Sequence, residues 1–168
     1  MLCPNCSLKM KQTKGNYHYA ESGLDNVTLT NLTIYICVCG EKMPVISDIQ
    51  GLHKTIAMAI VKSKTILTGE QIRFLRKEIG LKAVEFSKLL SVNKVSVSRW
   101  ETGKEPLGRS NDKLIRLFFI RKTEEDCKQM LQYEVGPLLA GISYKTHKAS
   151  PINIPMNKLK TLQPCHLH

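Results

Sequence analysis

The segment from Leu81 to Gly103 has the sequence LKAVEFSKLLSVNKVSVSRWETG. Its apolar residues recur every three or four positions, a spacing that predicts two short amphipathic helices joined by a tight turn. The residues that this pattern predicts to be buried are Phe86, Leu89, Leu90, Val97 and Trp100. The segment is therefore predicted to form a compact pair of helices, the second of which keeps one face free.

The free face of the second predicted helix carries small and basic side chains. Its residues are Asn93, Lys94, Val95, Ser96, Ser98 and Arg99. Asn93 is a suitable N-cap, and the amino end of a helix attracts phosphate. An arginine on such a face can donate two hydrogen bonds to a guanine edge in the major groove. We therefore predict that this face contacts a double-stranded DNA operator, with Arg99 reading bases and Lys94 positioning the helix.

An all-α domain of four to five helices is predicted around this pair, over residues 68–134. Thr68 and Gln71 have the spacing of a capping box, and Gly80 is suited to end the helix that they begin. Residues 112–121 and 124–134 are predicted as the last two helices, ended by Gly136 and Pro137. Residues 68–122 hold 13 Lys and Arg against 6 Asp and Glu, so they carry +7 of the total +11. That excess suits binding to a polyanion.

Two cysteine pairs lie within the first 40 residues of the chain. Cys3 and Cys6 flank Pro4 and Asn5, whereas Cys37 and Cys39 flank a single valine. Four thiolates in two tight loops can enclose one Zn²⁺ tetrahedrally and leave no open position for a water nucleophile. We therefore predict a structural zinc site whose ligands are Cys3, Cys6, Cys37 and Cys39.

Two alternatives stay open for this site. Because the second pair has one intervening residue instead of two, His18 or His53 could replace a cysteine as a ligand. Cys3 and Cys6 could also form a thiol–disulfide redox motif, although the sequence around them lacks the strand-to-helix context of thioredoxin-like sites. Cys127 belongs to neither pair and is expected to be a lone thiol.

Strand-like sequence lies between the two cysteine pairs. Residues 17–19, 27–29 and 32–36 are rich in β-branched and aromatic side chains, with Asn31 separating the last two stretches. Ser47 and Gln50 have capping-box spacing, and apolar residues then recur on one helical face. We predict an α+β chain, with a small zinc-bound β module and its connecting helix over residues 1–64 and a hinge near residues 62–68, followed by the all-α domain.

The remaining sequence features bear mainly on the C-terminal segment and on the exclusion of membrane proteins, secreted proteins and enzymes. Residues 145–168 contain three prolines and little periodicity, so a mobile tail is predicted there. No apolar run approaches the roughly 20 residues of a membrane span, and the start of the chain lacks the pattern of a signal peptide. We expect a cytoplasmic protein with no membrane partner. A P-loop, a nucleophile elbow and a His-Glu-x-x-His motif are missing from the sequence, so we expect no enzyme.

The run VSRWETG at Val97 to Gly103 resembles the end of the helix-turn-helix in Xre/Cro/C1-type regulators. With the Cys-Pro-x-Cys start, the second cysteine pair and the connecting helix, residues 1–122 are similar to MqsA-type antitoxins, which carry a YgiT-type zinc finger. Three positions depart from the pattern. Ala83 stands in place of a phosphate-contacting glutamine, Ser91 in place of a turn glycine, and Val95 in place of a recognition-helix asparagine.

The resemblance implies a homodimeric transcriptional repressor that acts as the antitoxin of a type II toxin–antitoxin system. Its zinc module would bind and neutralise a cognate toxin, which in that family is usually a ribonuclease. Two alternatives remain open. One is a stand-alone phage or mobile-element transcriptional regulator without a toxin, and the other is a zinc-thiol protein-binding adaptor.

Overall fold

The computed structural model describes residues 1–128, 134–144 and 148–162. Within them the chain is α+β, with a sheet and a cysteine cluster near the amino terminus and helices after them. The strands are β1 (Lys11–His18), β2 (Val27–Ile36), β3 (Lys42–Pro44) and β4 (Ile152–Pro155). The helices are α1 (Ile49–Lys62), α2 (Gly69–Glu78), α3 (Ala83–Leu89), α4 (Lys94–Glu101), α5 (Arg109–Cys127), α6 (Val135–Ala140) and α7 (Leu159–Leu162).

Strand β2 is the centre of the sheet. β1 pairs antiparallel along one of its edges, while β3 pairs antiparallel and β4 parallel along the other. The predicted break at Asn31 is wrong, because β2 runs continuously through it with a bulge at which Asn31 adopts a φ of 55°. Asparagine tolerates this left-handed conformation better than most residues. The extra residue keeps Leu29 and Leu32 on the same buried face of a strand whose side chains alternate.

Helix α1 covers that buried face. Leu52, Ile56 and Ile60 are fully buried along one side of the helix, as their spacing predicts. Ile49, which the same spacing places on this side, is 53% exposed at the start of the helix. The helix begins one residue later than the capping-box spacing indicated, since the N-cap is Asp48, whose carboxylate accepts a hydrogen bond from the Gly51 N–H at 2.8 Å. The sheet and α1 therefore form one layered unit with an aliphatic core.

The prediction of a mobile tail over residues 145–168 is wrong for residues 148–162. Strand β4 pairs with β2 from Val27 to Thr30, and Ile152 and Ile154 alternate into the core. This segment is ordered by a long-range contact. β1 and β3 leave this part of the edge of β2 without a partner, and the two isoleucines pack on the same buried face as the apolar residues of β2. Residues 145–147 and 163–168 lie outside the described residues.

The helical region begins as predicted and ends differently. Both hydrogen bonds of the Thr68–Gln71 capping box are present, and Gly80 follows α2 with a φ of 73°. The prediction of a separate helix starting at residue 124 is wrong, because α5 continues through that point to Cys127. Residues 129–133 of that predicted helix lie outside the described residues. Pro137, which was predicted to end it, lies in the first turn of α6, where its missing N–H costs nothing. Cys127 is disulfide-bonded, so the expectation of a lone thiol is also wrong.

A buried arginine ties the connection between α1 and α2 to α5. Arg116 is fully buried and donates hydrogen bonds to the carbonyls of Val61, Ser63 and Thr65 at 2.6 to 2.7 Å. Asp112 pairs with Arg116 and also accepts the Leu67 N–H at 2.8 Å. The connection predicted as a hinge is therefore held by hydrogen bonds from its backbone to the buried Arg116–Asp112 pair. Among the described residues, none of the helices has both the length and the apolar content to cross a membrane.

Candidate metal centre and candidate nucleic-acid interface

The first cysteine pair lies in a tight turn before β1. The Cys3 N–H donates to the Leu8 carbonyl at 2.9 Å, the Ser7 N–H donates to the Cys3 carbonyl at 2.9 Å, and a bridge between Leu2 and Lys9 closes the turn. Ser7 adopts a φ of 59°, which lets the chain reverse directly after Cys6. Both sulfurs are thereby presented from one short loop.

The second pair occupies the loop of the hairpin between β2 and β3. The Cys37 N–H donates to the Glu41 carbonyl at 2.9 Å, and the Gly40 N–H donates to the Cys37 carbonyl at 3.0 Å. Gly40 has a φ of 93°, a conformation that L-residues rarely adopt. This loop brings Cys37 and Cys39 to face the first pair in spite of their short spacing.

The four sulfurs form a compact cluster. The Sγ atoms of Cys3 and Cys39 are 3.6 Å apart, those of Cys6 and Cys37 are 3.3 Å apart, and all four lie within 4.8 Å of one another. A tetrahedral zinc with Zn–S bonds of about 2.3 Å requires sulfurs about 3.8 Å apart. The arrangement therefore fits a single metal ion held by four thiolates.

The protonation of these thiols also suits a cation. Burial raises the pKa of Cys3, but the backbone N–H groups of Cys6 and Asn5 and contacts with the Cys39 and Cys37 side chains lower it, so that the pKa is about 7. The backbone N–H of Leu8 lowers the pKa of Cys6, but contacts with the Cys37 and Cys39 side chains, together with burial, raise it to about 12. The cluster therefore resists carrying several negative charges at once, a repulsion that a divalent metal ion would remove.

Neither histidine that was considered as an alternative ligand belongs to this cluster. A ring nitrogen of His18 lies 3.0 Å from the Asp25 carbonyl. His53 lies between the sheet and α2, with Nε2 at 3.0 Å from the Tyr19 hydroxyl and Nδ1 at 2.9 Å from Glu78. The four clustered cysteines are free thiols, so a Cys3–Cys6 disulfide is not formed.

A second candidate site lies on α3 and α4. Ser91 adopts a φ of 54° in the turn between them, and Asn93 caps α4 by accepting the Val95 N–H at 2.8 Å. Phe86, Leu90, Val97 and Trp100 are buried as predicted, whereas Leu89 is 39% exposed and its predicted burial is wrong. Leu89 lines a groove with Ile79, Leu81 and Phe118 instead.

The predicted contact residues lie mainly on the outer side of α4. Those that are exposed are Asn93, Lys94, Val95, Ser98 and Arg99, while Ser96 is half-buried. The Arg99 guanidinium lies 3.7 Å from the Glu105 carboxylate, with both side chains largely exposed. The structure therefore exposes every residue of the predicted set except Ser96. It also places an acidic side chain, Glu105, beside Arg99, which the sequence spacing did not indicate.

Two further contacts fix α4 against α2. Arg76 forms a bidentate ion pair with Glu101, at 2.5 and 3.0 Å, and also donates to the Leu81 carbonyl at 2.8 Å. Gly69 lies so close to the end of α4 that a Cβ atom there would be 2.5 Å from the Trp100 carbonyl oxygen. These contacts set the orientation of α4, and they join residues too far apart in sequence for periodicity to detect.

Comparisons of the chain with protein-family models, with curated proteins and with solved structures find no match.

Proposed function

We propose that this protein is a sequence-specific DNA-binding transcriptional regulator that uses α3, the following turn and α4 as a helix-turn-helix. One observation carries the proposal. Helix α4 is anchored by Val97 and Trp100, both buried, while Lys94, Ser98 and Arg99 are exposed on its other side. A short helix with a fixed inner side and a small, basic outer side has the size and chemistry to enter the major groove.

Arg99 is the base-reading side chain in this proposal. Its ion pair with Glu105 joins side chains that are 59% and 43% exposed, and such surface pairs contribute little stability. Arg99 can therefore exchange the carboxylate for a guanine edge at small cost. Lys94, in the first turn of α4, is placed to neutralise phosphate where the helix dipole also favours an anion.

The overall charge supports a nucleic-acid partner. The chain carries a net charge of +11, and residues 68–122 account for +7 of it. This excess supports non-specific attraction to DNA, and the exposed face of α4 supplies the specificity. As a repressor, the protein would bind as a homodimer to half-sites about 34 Å apart or a multiple of that distance.

The cysteine cluster has a structural role in this proposal. Four thiolates in a tetrahedral cluster suit a structural zinc ion, and a closed four-sulfur shell leaves no position for a reacting water. Cys3, Cys6, Cys37 and Cys39 would hold it and thereby join the two loops at one end of the sheet. The proposed activity is binding, and the metal supports the shape of the sheet unit.

The antitoxin role is the narrower form of the proposal, and one feature of the surface favours it. Large apolar side chains are exposed on and near the two cysteine loops, with Val38 at 87%, Leu2 at 66% and Leu8 at 54%. Exposed apolar residues grouped in this way are typical of protein-binding surfaces. They suit a toxin that docks on the metal end of the sheet, remote in sequence from α4.

The DNA-binding proposal is tested by selecting sites from a random duplex library and measuring competition between a selected site and random DNA. We expect Arg99→Ala to flatten the preference among site variants, losing roughly tenfold or more in discrimination. Lys94→Ala should weaken binding to all DNA sequences by a similar factor and reduce the salt dependence of binding. Lys11→Ala is the charge-matched control, because Lys11 is exposed on β1. It should change neither the discrimination among sites nor the salt dependence of binding. Equal loss of affinity for selected and random DNA in Arg99→Ala would contradict the direct-readout role.

The antitoxin role is tested by co-expressing the full chain with the product of the neighbouring gene. Rescue of growth by the wild type, with loss of rescue in Val38→Asp, would support it. Arg99→Ala should still rescue, since α4 takes no part in toxin binding. The full chain is required because β4 belongs to the sheet and a fragment ending near Val61 would lack that strand. Absence of rescue by any variant would favour the stand-alone regulator.

A further inference from the structure

Val95 is an exposed valine in the first turn of α4. Its side chain is 53% exposed, whereas Val97, two residues later, is fully buried. The Val95 N–H donates to the side chain of Asn93 at 2.8 Å, so the cap of the helix fixes the backbone at this position. The valine is therefore held on the outer side of α4, away from the core.

The stability of α4 gives no reason for a valine at this exposed position. Valine is a poorer helix former than alanine, because its branched Cβ restricts the side chain to mainly one rotamer within a helix. An exposed valine also gains little from the burial of its methyl groups. The same restriction favours recognition, since it holds two methyl groups in a fixed direction at little further cost in conformational entropy.

Val95 shares one side of α4 with Ser98 and Arg99. Residues three and four positions apart lie on the same side of a helix, and four residues advance about 6 Å along its axis. All three side chains are exposed. Because successive base pairs are about 3.4 Å apart, a helix lying along the major groove would bring Val95 within about two base-pair steps of the base that Arg99 contacts.

The side chain of valine is selective among the four bases. In the major groove, thymine presents a C5-methyl group beside its O4 acceptor, whereas adenine, guanine and cytosine present polar atoms without a methyl group. Valine can neither donate nor accept a hydrogen bond through its side chain, so it would displace water from those polar edges without replacing the lost hydrogen bonds. Against thymine, it can pack on the C5-methyl group and remove apolar surface of both partners from water.

We propose that Val95 is a specificity-determining residue that selects thymine by contact with its C5-methyl group, within about two base pairs of the guanine read by Arg99. The inference rests on the proposed function, because it requires α4 to lie in the major groove. It adds an apolar contact to the hydrogen bonds of Arg99. The operator half-site should therefore contain a thymine and a guanine as close neighbours.

The test compares thymine with deoxyuridine, which lacks the C5-methyl group and pairs with adenine in the same way. Each thymine in one half-site of a selected duplex is replaced singly, and the affinity of the full-length protein is measured by fluorescence anisotropy. One replacement near the guanine should weaken wild-type binding roughly fourfold, as expected for the loss of one buried methyl group. In Val95→Ala, the same replacement should change the affinity by less than about twofold, because the shorter side chain leaves the thymine methyl group largely uncovered.

Two control variants separate this contact from general effects on the protein. Val45→Ala removes the same atoms from a valine that is 44% exposed beside β3, and it should keep the full effect of the replacement. Arg99→Ala should lose discrimination at the guanine and still bind thymine more tightly than deoxyuridine at the neighbouring position. Since alanine favours helix formation more than valine, α4 should stay folded in Val95→Ala.

The outcomes distinguish this inference from the proposed function. Suppose that the wild type selects a site and discriminates through Arg99, but no deoxyuridine replacement weakens binding, or Val95→Ala keeps the full effect of the replacement. The thymine contact would then be wrong, while sequence-specific DNA binding would stand. If the wild type selects no site from the random library, the proposed function and this inference are both overturned.

Discussion

Arg76 and Glu101 form a bidentate ion pair that joins α2 to the end of α4, with only 12% and 10% of the two side chains exposed. Arg76 also donates to the Leu81 carbonyl in the loop that leads into α3. One guanidinium therefore holds three parts of the helical region in place. Because α4 carries the proposed DNA-reading face, this pair determines how that face is presented.

Glu101→Gln should destabilise the protein strongly. Loss of the carboxylate leaves Arg76 charged and nearly buried without its partner, and breaking a buried pair in this way costs about 3 kcal/mol. Glu105→Gln is the matched control. Because its pair with Arg99 is exposed, we expect a change below about 1 kcal/mol. Urea denaturation of both variants measures the difference, and equal effects would contradict the role given to Arg76.

Gly69→Ala should shift or destabilise α4. The new Cβ atom would lie 2.5 Å from the Trp100 carbonyl oxygen and 2.7 Å from that of Glu101, and backbone atoms cannot move aside as a side-chain end can. We expect a cost of about 2 kcal/mol. Gly136→Ala, where a Cβ would meet nothing within 4 Å, should stay within about 1 kcal/mol of the wild type. Thermal unfolding of the two variants provides the comparison.

Ser91→Gly should stabilise the protein. Ser91 adopts a φ of 54° in the turn before α4, a conformation in which glycine lacks the Cβ strain of other residues. Allowing for the greater chain entropy of glycine when unfolded, the expected gain is about 0.5 to 1 kcal/mol. Ser91→Ala retains the Cβ and should give no gain. A stabilising alanine variant in urea denaturation would show that the strain argument is wrong.

Arg116→Met should severely weaken the junction between the sheet unit and the helical region. The substitution keeps much of the volume but leaves the carbonyls of Val61, Ser63 and Thr65 without their donor and Asp112 without its partner. We expect a loss of about 3 kcal/mol or more. Arg121→Met, at a 69% exposed side chain on the same helix, should cost about 0.5 kcal/mol or less. Denaturant titrations decide between these outcomes.

The purified protein should carry one zinc ion per chain. Cys39→Ser removes one of four clustered sulfurs and should abolish stoichiometric zinc, as measured by elemental analysis together with thiol titration. His53→Ala should retain the metal, because His53 contacts Tyr19 and Glu78 instead of the cluster. A strong chelator should lower the unfolding temperature of the wild type. Full zinc content in Cys39→Ser would exclude Cys39 as a ligand.

Local features of the sequence were sufficient to predict several parts of this structure. The spacing of Val97 and Trp100 predicted which side of α4 is buried, and the Thr68–Gln71 spacing predicted the start of α2. The two cysteine pairs predicted a cluster that the fold does assemble. Each of these follows from helical periodicity, capping chemistry or loop spacing, which depend on residues close together in the chain.

Other parts were decided only by the tertiary structure. The sequence of β4, with its prolines and lack of periodicity, predicts a mobile tail. It forms a strand because the free edge of β2, more than 120 residues earlier in the chain, pairs with it. The helical spacing of Leu89 predicts burial, but in the folded protein its side chain is 39% exposed and lines an open groove. The contacts of Arg76 and Arg116 likewise join separate elements. Such contacts depend on which surfaces meet when the helices and strands pack together. The hydrophobic periodicity of a single segment does not predict which surfaces will meet.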